Sequence, residues 1–571
     1  MDEGLDEQAL RELELELNTK IYPGTEIMRD VGTHHFVKSG HGNHNVLVPQ
    51  PSDDPHDPLN WSPFWKNMAI FCATALSFSL NLGPLALAPM FGAYIQEWDR
   101  SLADVVQFTG VAILCLGFSN FIWVPIMVCF GRRPVAIFAT AICVGSSIWR
   151  SLATSYDSFM GACILNGLAA GPCESLMPQV IADVIFLHDR GKYQTLYFAL
   201  YFISLMVGPI IAGAMNDHTG WRSFWHFNTA LLVFTLVLNI FLFPETRYKR
   251  EYEAPGSNHN KQSPTNQAVL TQDNNISDIK ISPADQTELD RTPTTTSALK
   301  SAEAGNNLSP QLTHQDPYLG RGTPSKHQFL PWQKREGETF ASILRELWLP
   351  FYLHIYPIVE FASFIVSWSA AAFLVVNLSQ SQAFAAPPYN FSSQTIGLFN
   401  VAILIGAVIG LLTSGPLSDW VAARLTARNG GIREPEMRLV TMIPYVLIMI
   451  LGSVITAVGY DNHWRWEIIV VVGYACVGMQ VAALPSIAST YAIDSYKPVT
   501  GSMFVTITIN KNLWGYGVSK FLTPWAEKSG FVPVIMMNMA MLTVFASSGI
   551  IFWFWGKKFR GMSANSFVHK L

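Results

Sequence analysis

Twelve apolar runs dominate the chain between Met68 and Trp555, six on each side of a long polar stretch. Each run reaches roughly 20 residues, the length a helix needs to cross about 30 Å of hydrocarbon. They fall at roughly 67–91, 104–129, 134–153, 159–181, 193–215 and 223–243, then at 349–376, 395–417, 438–460, 466–490, 501–523 and 532–555. The pattern predicts an all-α membrane protein with twelve transmembrane helices. Residues 1–62 form an N-terminal tail, 63–245 a six-helix bundle, 246–346 a central loop, 347–556 a second six-helix bundle and 557–571 a C-terminal tail.

The loop is rich in Ser, Thr, Asn, Gln and Pro from about Lys249 to Gly337 and shows no hydrophobic periodicity. Such a segment cannot bury enough apolar area to offset its ordering entropy, so disorder is expected. A phosphorylated regulatory linker and a plain tether both fit it; either lets the two bundles move against each other. Arg132, Arg133, Arg190, Lys192, Arg424, Arg428, Arg433, Arg438, Lys497, Lys557, Lys558 and Arg560 fall on alternate connections, all on one side. The positive-inside rule makes that side the cytosol, with both termini and the loop on it.

Composition narrows the class. Of 571 residues, 50% are hydrophobic and 14% charged, too few charges to cover a soluble surface of this size. A net charge of -4 leaves no nucleic-acid footprint. The seven cysteines all lie in apolar runs without metal-ligand spacing and read as packing residues. No metal, cofactor or enzymatic chemistry is expected.

Charges at mid-span are the candidate chemistry, because each costs roughly 2.5–3.5 kcal/mol at a helix centre unless it faces a partner or a wet pathway. The chain offers Glu174 in the fourth run, Glu360 in the seventh and Lys511 in the eleventh, flanked by Asn510 and Asn512; Asn81 and Gln480 sit at similar depth. The acids line a cavity, or one of them forms a structural ion pair, for example Glu360 with Lys511. A carboxylate in a low-dielectric site is also a candidate for proton coupling. Prolines such as Pro84, Pro89, Pro172, Pro178 and Pro485 interrupt several runs and predict bent helices.

Gly131-Arg132-Arg133-Pro134 after the second run and Gly415-Pro416-Leu417-Ser418-Asp419-Trp420 after the eighth mark an internal repeat. They resemble the cytosolic gate of the major facilitator superfamily, a G-x-x-x-D-x-x-G-R-R pattern. The first copy lacks the acid, and Asp183 at the end of the fourth run is the candidate to supply it; the second keeps Asp419 and Arg424. Gly208-Pro209 followed by Gly213 resembles the fifth-span packing element of the family's antiporters, with Ser204 and Ala212 as departures. Several longer strings are similar to fungal members of the twelve-span drug:proton antiporter group, closest to the branch with polyamine and histidinol carriers. They are Asp53 to Trp61, Glu174-Ser175 with Asp183 and His188-Asp189-Arg190-Gly191, Phe243-Pro244-Glu245-Thr246, Asn429 to Leu439 and Tyr491 to Tyr496. Cys163 stands where many relatives carry an arginine, which shifts weight to Glu174.

The resemblance implies the major facilitator fold and transport by alternating access, with Glu174 and Glu360 on cavity helices of opposite halves. It implies a monomeric, proton-coupled carrier of small organic molecules (drugs, toxins, secondary metabolites or polyamines), with efflux the expected direction. The proton gradient supplies energy, and the partners are substrate, protons and the lipid bilayer of the plasma membrane. Import of an organic cation and a non-transporting nutrient receptor are the alternatives. Asn390-Phe391-Ser392, in an expected external loop, is a glycosylation acceptor motif.

Overall fold

The computed structural model describes residues 22, 25–27, 51–52, 54–248, 319–330, 340–496, 499–564 and 566. All of these belong to one unit built from Met1–Tyr248 and Tyr318–Leu571; Lys249–Pro317 form a second unit, outside the described residues. Helices occupy every position where an apolar run predicts one. The first half contains α1 (Pro63–Leu82), α2 (Phe91–Trp98), α3 (Leu102–Phe130), α4 (Arg132–Leu152), α5 (Tyr156–Ala170), α6 (Pro172–Val184), α7 (Leu187–Thr219) and α8 (Trp221–Leu242). The second contains α9 (Phe340–Leu353), α10 (Pro357–Phe384), α11 (Ser393–Leu398), α12 (Asn400–Arg428), α13 (Met442–Asp461), α14 (Ala475–Ser495), α15 (Thr500–Ser529) and α16 (Phe531–Ser563).

Among the described residues nine helical segments are long and apolar enough to cross a bilayer. The other three predicted spans differ for local reasons. The first, α1, is 20 residues long but carries Lys66, Asn67 and Asn81, and the fourth is divided between α5 and α6 at Gly171-Pro172. The eleventh, α15, is 30 residues long but carries Asn510, Lys511 and Asn512 in its middle. Pro63, Pro172 and Pro357 open their helices, where the missing N–H costs nothing. Ser101 caps α3 with a reciprocal Asp104 box. Gly220 and Gly530 turn the chain at matching places in the two halves, with φ of 85° and 79°. Exposed Phe234, Phe241, Leu412, Ile550 and Phe554 give the bundle an apolar outer surface.

Three expectations about the polar segments need correction. Residues 319–330 of the predicted disordered loop are ordered against the first half. Ser62 N donates to Gly322 O (2.8 Å), Gly322 N to Asn60 O (2.9 Å), and Glu245 N to Gln328 O (2.8 Å). Gln328 also donates to His56 O (3.1 Å), while the Phe329 ring meets Trp65 at 5.8 Å. The segment needs little core of its own because it borrows the backbone of the Asp54–Trp61 turn. Gly322 makes this approach possible, since a Cβ there would lie 2.2 Å from Pro55 O. Second, helix resumes at Phe340 as α9, inside the predicted loop. Third, α16 continues to Ser563, past the expected tail boundary, because Lys557 and Arg560 hold acids of the second half.

Candidate functional site

A cavity of about 140 Å³ lies at the seam between the halves. Its wall is mostly aliphatic and aromatic, and its polar groups gather around Glu174. That residue sits in the first turn of α6, immediately after the break at Gly171. Glu174 is buried there, 7% exposed. Tyr201 on α7 donates its hydroxyl to Glu174 Oε1 at 2.7 Å, and Asn512 Nδ2 donates to Oε2 at 3.2 Å. Lys511 Nζ makes an ion pair with Oε1 and lies 3.1 Å from the Tyr201 hydroxyl. Tyr197 donates to the backbone carbonyl of Glu174 at 3.2 Å. Glu174 comes from the first half and Lys511 and Asn512 from the second, so the cluster bridges the seam.

Close packing of α3 on α15 sets its position. Gly117 accepts Asn512, whose Cβ is 2.6 Å from where a Gly117 Cβ would stand; Gly110 accepts Ser519 in the same way at 2.0 Å from its Oγ. These glycines recur every seven residues, two helical turns, on one face of α3. Asn81 borders the cavity and donates to Ser204 Oγ at 3.1 Å.

Glu360 is not on this wall. The predicted seventh span began at 349 and put Glu360 near mid-depth, but the helix breaks after Leu353 and restarts at Pro357. Glu360 thus lies in the first turn of α10, where it pairs with His354. Lys511 takes Glu174, not Glu360, as its partner. Gln480 lies outside the cavity wall and accepts from Ser369 at 2.9 Å within the second half. Asn510 is absent from the wall as well. Tyr201, a ligand of Glu174, carried no sequence signal: a tyrosine in an apolar run looks like packing.

The end of the bundle that carries the arginines is held by two related networks. In the first half, Arg132 pairs with Asp183 at 2.8 Å, and Thr246 donates to Asp183 at 3.0 Å. Glu245 accepts the Arg132 and Arg133 backbone N–H groups at 2.9 and 3.0 Å and so caps α4. Arg133 reciprocates by donating to carbonyls at the end of α8, including Asn239 O at 3.0 Å. Gly131, with φ of 109°, leaves the room, since a Cβ there would lie 2.2 Å from Glu245 Oε2. Arg190 caps α6 through Ile185 O and Ala182 O.

In the second half Arg438 pairs with Asp494 at 3.0 Å and with Asp419 at 2.9 Å. Of the two motif residues kept in this copy, Asp419 takes Arg438 as its partner. Arg424 stacks over Trp420 at 5.6 Å. Arg560, at the end of α16, grips Glu434 and Glu436. The end of the sixth span thus gives an acid to the next contact, and the end of the twelfth gives a base. Between the halves at this end lies a second cavity of about 310 Å³, bordered by Arg132, Asp183, Arg345 and Ser502.

At the opposite end the halves touch. A Cβ on Gly213 would stand 2.4 Å from Ser393 O, and one on Gly397 2.6 Å from Pro209 O. Gly208 meets Leu82 O at 2.5 Å in the same sense. Gln394 N donates to Asp217 at 2.8 Å and Asn216 to Ser393 Oγ at 3.1 Å. The Gly208-Pro209-Gly213 element is therefore a backbone-to-backbone contact between α7, α1 and the start of the eighth span. Asn390, in the loop beside it, is exposed.

The family model described as Major Facilitator Superfamily matches residues 68–515. The chain belongs to the major facilitator superfamily. It is an integral membrane transporter for small organic molecules, all-α in architecture. Relatives are similar over nearly the whole length. Protein HOL1 of Saccharomyces cerevisiae is 26% identical, covering 90% of this chain and 90% of its own. An uncharacterised MFS-type transporter of Schizosaccharomyces pombe is 25% identical, covering 91% and 89%. A probable efflux pump of Aspergillus flavus is 24% identical, covering 84% of this chain and all of its own.

Proposed function

We propose that this protein is a proton-coupled antiporter that exports small monovalent organic cations with apolar bodies by alternating access. The carrying observation is the cluster of Glu174, Tyr201, Lys511 and Asn512, which joins the two halves across an otherwise apolar cavity. A single carboxylate in such a wall matches one positive charge on an apolar body, and the absence of Glu360 from the wall argues against a polyamine. Phe198, Phe202 and Phe373 add ring faces worth about 0.5–2 kcal/mol each to a cation. Export is supported by the fifth-span contact and by relatives named as an efflux pump and as an MFS antiporter of Candida albicans. The arginine-bearing end faces the cytosol, as the positive-inside rule requires, in the plasma membrane. Opening would then alternate between the second cavity's end and the Gly213–Ser393 end.

Proteoliposomes with an imposed pH gradient test this reading. Wild-type protein is expected to move labelled tetraphenylphosphonium against inward protons, and Glu174→Gln to lower that flux at least tenfold. Equal flux in the variant removes Glu174 from the site.

A further inference from the structure

Glu174 is the one carboxylate on the cavity wall among the described residues, and it is already taken by Lys511. A substrate cation that reaches Glu174 therefore meets a resident ammonium. Two positive charges beside one carboxylate leave a net charge against a mostly apolar wall, which is strongly unfavourable. Among the described residues the wall offers Lys511 no second acid to move to. The titratable groups that face it are Glu174 and Cys173 on α6 and Tyr201 and Tyr197 on α7. The wall contributed by α1, α3, α10 and α14 holds no titratable side chain. An ammonium on a flexible stem can shed its charge when its counter-ion is lost, whereas a guanidinium cannot.

We propose that the exchanged proton is carried on Lys511 Nζ, and that Lys511 ammonium and substrate cation are mutually exclusive partners of Glu174. The inference rests on reading the cavity as an organic-cation site. When the cation binds, the Glu174 carboxylate exchanges its ion pair with Lys511 for one with the cation, and the Lys511 ammonium becomes a neutral amine by losing one proton to water. The reverse step consumes one proton as the cation leaves. Charge balances at one monovalent cation per proton, so the exchange is electroneutral. It is also obligatory: with neither cation nor proton bound, the buried carboxylate stands uncompensated, and the halves do not close over it.

The test uses the full chain in detergent, with tetraphenylphosphonium as the probe because it carries no proton of its own. Titration calorimetry in buffers of different ionisation enthalpy counts the protons released. Wild type is expected to release one proton per cation bound. Lys511→Gln removes the competitor and is expected to bind at least as tightly as wild type at pH 8.5. Lys511→Arg keeps the positive charge but holds its proton; it is expected to bind at least tenfold more weakly while melting within a few degrees of wild type. Tyr201→Phe removes the other proton donor at the carboxylate and is expected to release one proton still. Binding without proton release in wild type overturns the proposal. So does a Lys511→Arg protein that still releases a proton, a Lys511→Gln protein that binds more weakly than wild type, or a Tyr201→Phe protein that releases none. Failure of wild type to bind the probe in a Glu174-dependent way overturns the cation-site reading itself.

Discussion

Gly131 joins local geometry to long-range packing. Its φ of 109° lies where a side chain is strained, and the space a Cβ needs is filled by the Glu245 carboxylate. Gly131→Ala is therefore expected to cost about 1–3 kcal/mol and to lower the melting temperature in a thermal-shift measurement. The acids at the arginine-bearing end respond to pH in opposite senses. Burial pushes the Glu245 carboxyl above its ordinary 4.5, although the charge of Arg132 and three backbone N–H groups resist this. Burial also acts on Glu434, but Arg560, Lys557 and Thr25 outweigh it and hold that carboxyl below 4.5. A lowered carboxyl contributes stability that is complete above about pH 4.5 and is lost as pH falls through its folded value. The melting temperature should drop below pH 4.5, and Glu434→Gln should flatten that drop. Motif glycines and arginines were legible at this scale because type and spacing suffice to find them. Partners were less so. Asp419 takes Arg438 from a distant turn, and Tyr201 reaches Glu174 only once α7 crosses α6.

Prolines were read as bends; helices end beside Pro84 and Pro172, while Pro178 and Pro485 sit inside helices that continue past them. Only the break at Pro172 matters directly for the site, since it makes Glu174 a first-turn residue rather than a mid-helix one. The misplacement of Glu360 has the same origin: an apolar run gives the extent of a span but not the interruption at residues 354–356. Contacts between helices were visible as small residues without identified partners. Gly213, read as a motif element, meets the Ser393 carbonyl of the other half. Gly213→Leu is expected to wedge that end apart. Cysteine-reactive probes should then reach a cysteine placed at Asn216 faster than in the glycine parent, and pH-driven flux should fall.

At the scale of the molecule, the twofold repeat was readable from the paired glycine-arginine strings, and both copies form helix-end clamps of related design. The central loop was read from composition alone, which cannot show that Gly322, Thr323, Gln328 and Phe329 find partners on the first half. Deleting residues 255–315 is expected to leave transport within about twofold of wild type. That result also separates a carrier from a receptor that signals through the loop. Extending the deletion through residue 330 removes the contacts with His56, Asn60, Ser62 and Glu245, and should lower the melting temperature by several degrees.

Because Gln328 and Phe329 are anchored to the first half and α9 begins at Phe340, residues 330–339 are the chain that connects them. Ten residues span at most about 35 Å when fully drawn out. While the anchor holds, the hundred-residue loop sets no limit on how far the halves separate; the length of this connection does. Separation of the two attachment points beyond that length is closed to the chain as long as Gln328 and Phe329 stay docked.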